Sequence, residues 1–315
     1  MKRLFSSLIF LVSLNAFSLE TDQFMTWEVK LKDSTQVVNT YIFTNMISAL
    51  NKVNQKPPQN CSDVAIKLLE WNGNSTDFLS RIEFDLYKST SIDKYPRLTE
   101  SKYGVIKESI YADVEYYKHK IFGVNLQTNN IYYGIDKLGH FLTVGLSYYK
   151  KYLKKINANP EDFDDAIRAA IMRGVFSEKT YYGNIISGVF SFADLEANYQ
   201  GLKFAINLCE GFTPHLQRDE NGRWIFTGEF DITNYVNPFW DESYYPNTYI
   251  NKRWKQVRPY MKKYCEKRNG EIVKERFAYY DTFKISNAST HLLEELVMNK
   301  EIRNPEDFSL DSICQ

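Results

Sequence analysis

A chain of 315 residues that is 43% apolar can bury a substantial core, and its 39 basic side chains balance 39 acidic ones. That balance excludes binding to nucleic acid or anionic lipid driven by net charge. Aromatic content is 16%, with 23 Tyr and 21 Phe. Tyr joins an apolar body to a polar tip, which suits half-buried helix faces or a groove for polar ligands; a composition rich in Asn, Lys and Ile explains the excess equally well.

The first 18 residues, MKRLFSSLIFLVSLNAFS, read as a secretory signal peptide. Lys2 and Arg3 form the basic region, Leu4 to Leu14 the apolar core, and Ala16-Phe17-Ser18 the small-x-small cleavage site. Removing them leaves 37 basic against 39 acidic residues. No later segment reaches the roughly 20 apolar residues of a membrane span, and no Cys follows the cleavage site to carry a lipid anchor. The expected location is periplasmic or secreted. The four cysteines, Cys61, Cys209, Cys265 and Cys314, contain no CxxC, so in an oxidising compartment they read as two disulfides. Cys209 with Cys265, and Cys61 with Cys314, is the preferred of three pairings.

Residues 34–54 carry helical periodicity, ended by KPPQN, and Cys61 to Trp71 carry a second helix stopped by Asn72-Gly73. Residues 100–119 form a Tyr-rich amphipathic stretch. Residues 135–155 place Ile135, Leu138, Leu142, Leu146 and Tyr149 at near-helical spacing. Asn159-Pro160-Glu161-Asp162 opens a helix running to about Glu178, with acids facing its positive end. Residues 180–190, rich in β-branched and aromatic side chains, predict a short extended or hairpin element. A helix follows, with Ser191 and Asp194 as its capping pair. Residues 222–236 predict a strand pair turning near Gly228, and 249–267 and 286–300 predict helices. The sum is a mainly α protein: residues 19–315 form one helical domain with short β-hairpin insertions, its motif-bearing core at about 130–265.

Within "IDKLGHF" (135–141), Asp136 and His140 stand four apart on one helix face, so the carboxylate can orient the imidazole. This reads either as a chemical device or as a packing contact, with Gly139 admitting a neighbouring helix. His119, His215 and His291 add no metal motif, so no metal and no cofactor are expected. Glu178 ends its helix at the negative dipole end, where a carboxyl is pushed toward the protonated form a glycosidase acid needs; an exposed Glu beside Lys179 is the plainer reading. Asp194 and Glu196 are candidate second carboxylates. Asn198, Tyr182, Tyr235 and Trp240 are candidate sugar-binding groups, the last beside Asp241 and Glu242 in an aromatic loop. No GxGxxG, Walker A, HExxH or GxSxG motif is present.

"DKLGHF", "SGVFSFADLEANYQGLKF" and "FDITNYVNPFWDES" together resemble a family of secreted proteins from Gram-negative bacteria, over roughly residues 130–265. The DKxGH piece alone also resembles small periplasmic proteins and VanZ-like membrane proteins. A more distant likeness is to lysozyme-superfamily enzymes, in which a helix ends in the catalytic Glu and a small β element follows; Glu178 and residues 180–190 stand in that order, without the GLMQ segment. That likeness implies a lysozyme-like fold and an exported hydrolase of peptidoglycan or another envelope glycan. Glu178 is then the general acid, Asp194 or Glu196 the second carboxylate, and Asp136 with His140 the support. The alternatives are a non-catalytic envelope protein binding a partner or lipid, and a metal-dependent hydrolase built on Asp136 and His140.

Overall fold

The structure, a computed structural model, describes residues 21–73, 80–97, 106–114, 123–180, 183, 187–211 and 213–315. It is mainly helical, with three two-stranded antiparallel sheets among the described residues. Helices α1 (Thr35–Val53) and α2 (Cys61–Leu69) form where periodicity places them. The next helix, α3 (Arg81–Lys88), was not foreseen; a reciprocal Ser80–Glu83 capping box starts it. Most of the Tyr-rich stretch at 100–119 lies outside the described residues.

Strands β1 (Asn125–Thr128) and β2 (Ile131–Gly134) form a hairpin that periodicity did not reveal. Its signal was the Asn129-Asn130 pair, whose φ of 48° and 60° suits the left-handed turns that close two-residue hairpins. The chain then enters α4 (Asp136–Gly139), widens into a π-helical turn (His140–Val144), and continues as α5 (Gly145–Ile156). Helix α6 (Phe163–Lys179) starts after the Asn159–Asp162 turn, with Asp164 and Asp165 in its first turn. Helix α7 (Phe192–Cys209) is capped as the sequence predicts, Ser191 Oγ accepting from the Asp194 amide at 3.1 Å.

The two β expectations fare differently. Val189–Phe190 (β3) is extended, one of the two forms expected for 180–190, and it pairs with Thr248–Tyr249 (β6) from a distant loop; residues 181, 182 and 184–186 lie outside the described residues. The other pair joins Leu216–Arg218 (β4) to Trp224–Phe226 (β5). Its turn lies at Gly222, whose φ of +74° a glycine accepts without strain, and not at Gly228. The C-terminal third carries α8 (Asn251–Met261), α9 (Tyr264–Lys267), α10 (Glu271–Tyr280), α11 (Ala288–Met298) and α12 (Leu310–Ile313).

Helix α7 runs through the middle, buried along almost its whole length and packed on α2, α5 and α6. Most of the apolar interior gathers around it, and a second cluster joins Phe24 and Trp27 to Tyr249, Met261, Tyr264 and Ile313. The disulfides follow this packing and correct the expected pairing. Cys61, at the start of α2, meets Cys209 at the end of α7 with Cα atoms 5.6 Å apart, and Cys265 of α9 meets Cys314 beyond α12 at 5.5 Å. Contact between helix ends decides the partners, and spacing along the chain does not record it. Two closed disulfides fit an oxidising, extracytoplasmic compartment. Among the described residues no helix is long and apolar enough to cross a membrane.

Candidate functional site

The site begins with a close helix crossing. A Cβ on Gly201 of α7 would lie 1.8 Å from the Phe141 carbonyl oxygen, and one on Gly145 would lie 2.7 Å from the Gly201 Cα. Only hydrogen at both positions lets the two backbones touch. Asp194, Asn198 and Gly201 recur at spacings of four and three, so they share the face of α7 turned toward that crossing. Asp136, Lys137 and His140 lie on the facing chain. The π-helical turn starts at His140, and such turns recur at functional sites.

What the crossing assembles is a charged cluster inside the protein. Lys137, 1% exposed, places its Nζ 2.5 Å from Asp136 Oδ2, 2.7 Å from Asp194 Oδ1 and 2.7 Å from Glu242 Oε1. Asp136 Oδ1 accepts from the Thr21 hydroxyl at 3.1 Å, which brings the N-terminal segment into the same network. The Ser191 hydroxyl donates to Glu242 Oε1 at 3.1 Å. His140 sets Nε2 3.3 Å from Asp194 Oδ2 and Nδ1 3.1 Å from Asn198 Oδ1, while Asn198 Nδ2 donates to the buried Tyr148 hydroxyl at 3.4 Å. The Asn198 oxygen faces Nδ1, so Nδ1 carries a proton and donates. Nε2 is thereby left facing a carboxylate, an arrangement that calls for a positive species between them, a proton or a metal ion.

The electrostatics follow from burial. Desolvation would lower Lys137, but Asp136, Asp194 and Glu242 outweigh it and hold the ammonium well above the usual lysine range. Burial would likewise raise Asp194; His140 and Lys137 together pull it below the ordinary carboxylate value. Glu242 stays pushed up to about 7, burial exceeding the pull of Lys137. Glu83 packs against Gly139, where an added Cβ would lie 2.3 Å from its Oε1, and burial pushes it up to about 8. The neighbour expected to pass close to Gly139 is therefore the start of α3.

The sequence-predicted residues divide. Asp136, His140, Asp194 and Asn198 come together. Glu178, 7% exposed, lies just behind them: its Oε2 accepts from the Ser191 amide at 3.4 Å, and Ser191 also touches Glu242 and Asp194. Glu196 does not join. Two residues beyond Asp194 it points from the opposite face of α7, and its Oε1 accepts from Gln200, Asn237 and Asn287 at 2.7, 2.8 and 3.0 Å. This carboxylate fastens two loops, a role that asks nothing of a substrate. Trp240 is fully buried between the rings of Tyr133 and Phe141, at 5.4 and 5.9 Å, and offers no face to a sugar. Tyr235 packs with Phe141 and Phe204 at 5.3 Å each and borders a separate shallow cleft beside Phe230 and His215. Tyr182 lies outside the described residues.

Sequence reasoning missed Lys137 and the part played by Glu242. Both stood in quoted segments, and the available signal was a lysine within the otherwise apolar run around Ile135 and Leu138, a position where a charge must turn inward and find partners. No protein-family model, curated protein or solved structure matches this chain.

Proposed function

We propose that this chain is an exported hydrolase whose working centre is the Asp136–Lys137–His140–Asp194 cluster, with an envelope glycan as its substrate class. One observation carries the reading: the cluster is sealed at Lys137 and opens at His140 and Asp194, whose side chains are 14% and 15% exposed. A buried ion cluster gains little or no stability over well-packed apolar residues. A charge network kept at that cost, with its imidazole–carboxylate edge turned to solvent, suits proton chemistry on a polar substrate. In this reading Asp194 receives the proton of the attacking water and His140 holds it in place. Glu178, behind the Ser191 cap, gives its proton to the departing sugar oxygen. The glycan itself rests on the export signal and on the carboxylate pair.

The test is release of soluble fragments from purified peptidoglycan sacculi. Wild-type protein is expected to release them; Asp194→Asn and Glu178→Gln are each expected to reduce release at least 100-fold with melting temperature kept within a few degrees. Undiminished release by both variants refutes the assignment. A second reading, a non-catalytic envelope protein in which the cluster only clasps Thr21, α4, α7 and the Glu242 loop, is favoured by the three ion pairs on Lys137. It predicts no release by any form and lowered melting in every variant.

A further inference from the structure

The contact between His140 Nε2 and Asp194 Oδ2 leads further. Asp136, His140 and Asp194 each offer one donor atom, and the three atoms lie within 4.8 Å of one another. A zinc ion holds His nitrogen and carboxylate oxygen at about 2.0–2.2 Å in a tetrahedron, which sets neighbouring donors about 3.3–3.6 Å apart. The His140–Asp194 separation of 3.3 Å meets that spacing.

A second, independent observation is how each donor is held. Metal-binding imidazoles characteristically donate their other ring N–H to an oxygen acceptor, which fixes the tautomer and aims the lone pair at the metal. His140 does this through Nδ1 to Asn198 Oδ1, and Asn198 is steadied in turn by Tyr148. Both carboxylates are oriented from behind: Asp194 gives Oδ1 to Lys137 and keeps Oδ2 on the His140 side, and Asp136 gives Oδ2 to Lys137 and keeps Oδ1 beside Thr21. The ammonium therefore pairs with one oxygen of each; Asp194 keeps Oδ2 toward His140, and the second oxygen of Asp136 is held by the Thr21 hydroxyl. The two aspartates against one lysine leave a negative balance that a divalent cation meets.

We infer that Asp136, His140 and Asp194 form a binding site for a divalent transition-metal ion of the zinc type. Three protein donors, with the open edge at His140 and Asp194, match the number of protein ligands in zinc sites that keep a position for water or substrate, with carboxylate oxygens in place of further imidazoles. The site is the one assigned to hydrolysis above, so the inference rests on that reading and changes one role in it: with a metal bound, Asp194 would be a ligand and activation of the water would pass from Asp194 to the metal; metal binding itself can be measured without any substrate.

Metal-free mature protein is dialysed against Zn²⁺ alone and its metal content measured by mass spectrometry. One zinc per chain is expected. His140→Ala and Asp194→Ala are expected to abolish binding, and Asn198→Ala to weaken it 10- to 100-fold through loss of imidazole orientation. Co²⁺ in place of Zn²⁺ is expected to give visible absorption bands of a four-coordinate site, absent in His140→Ala. Less than a tenth of an equivalent bound by wild type, or equal binding by wild type and all three variants, overturns the site. Should the alanine variants not fold, Asn198→Ala and the Co²⁺ spectrum of wild type decide it alone. Zinc binding without fragment release from sacculi supports the site and overturns the hydrolase reading. Full hydrolysis by protein that stays zinc-free at saturating Zn²⁺ overturns the site and leaves the hydrolase reading standing.

Discussion

Replacing Lys137 by Met keeps the length of the side chain and removes its charge, leaving Asp136, Asp194 and Glu242 facing one another without the ammonium that lies 2.5, 2.7 and 2.7 Å from them. Removing one partner of a buried ion pair costs about 3–5 kcal/mol, because the remaining charge has neither water nor counter-ion. A chain of this length unfolds with an entropy of about 2.1 cal/mol/K per residue, so that cost lowers the melting temperature by about 5–8 °C. The pH dependence adds a sharper check. Lys137 is raised above the ordinary lysine value, so its contribution is complete below that value and is lost only as pH rises through the higher folded one. Between pH 5 and 9 Lys137 therefore stays charged, and any change in the gap comes from the carboxylates around it, Glu242 among them, which protonate as pH falls. Calorimetry or circular dichroism at pH 7.5 and pH 4.5 should show the full deficit at the higher pH and a smaller one at the lower. A melting shift under about 1 °C at pH 7.5, or a deficit that grows toward acid, refutes the role given to Lys137.

Glu83 is pushed up to about 8 and Glu242 to about 7, so the folded protein binds more protons than the unfolded chain between roughly pH 4.5 and 8. Wild-type stability is thus highest near pH 4.5–5 on this account and falls as pH rises through 8. Glu83→Gln is expected to flatten that slope in urea midpoints, and an unchanged slope refutes it. Gly201→Ala puts a methyl 1.8 Å from the Phe141 carbonyl oxygen and is expected to cost about 3 kcal/mol. Gly228→Ala, where nothing lies within 4 Å, is expected to cost under about 1 kcal/mol, and equal melting of the two proteins would remove the crossing from the account.

Much of the helical fold was legible because its signals are local. Apolar spacing gave α1 and α2, and the Ser191–Asp194 cap gave the start of α7. The strands were less legible, since β3 and β6 are two residues each and are held by a partner some sixty residues away. The motif at 135–141 divides the same way. Its sequence marked Asp136 and His140 as a polar pair on one helix face, and Gly139 as a place of close approach. It did not say that Lys137, between Asp136 and Leu138, turns inward to bind three carboxylates.

The sequence by itself determined the helical class, the polar pair within "IDKLGHF" and the residues from which a site could be drawn, because periodicity, capping and composition act over a few neighbours. Only the tertiary structure decided that Asp194 and Asn198 join that pair while Glu196 turns away, that Trp240 is core, and which cysteines meet. Each of those outcomes depends on how closely two helices pass, and here Gly145 and Gly201 permit a contact that residues fifty-six positions apart cannot announce along the chain.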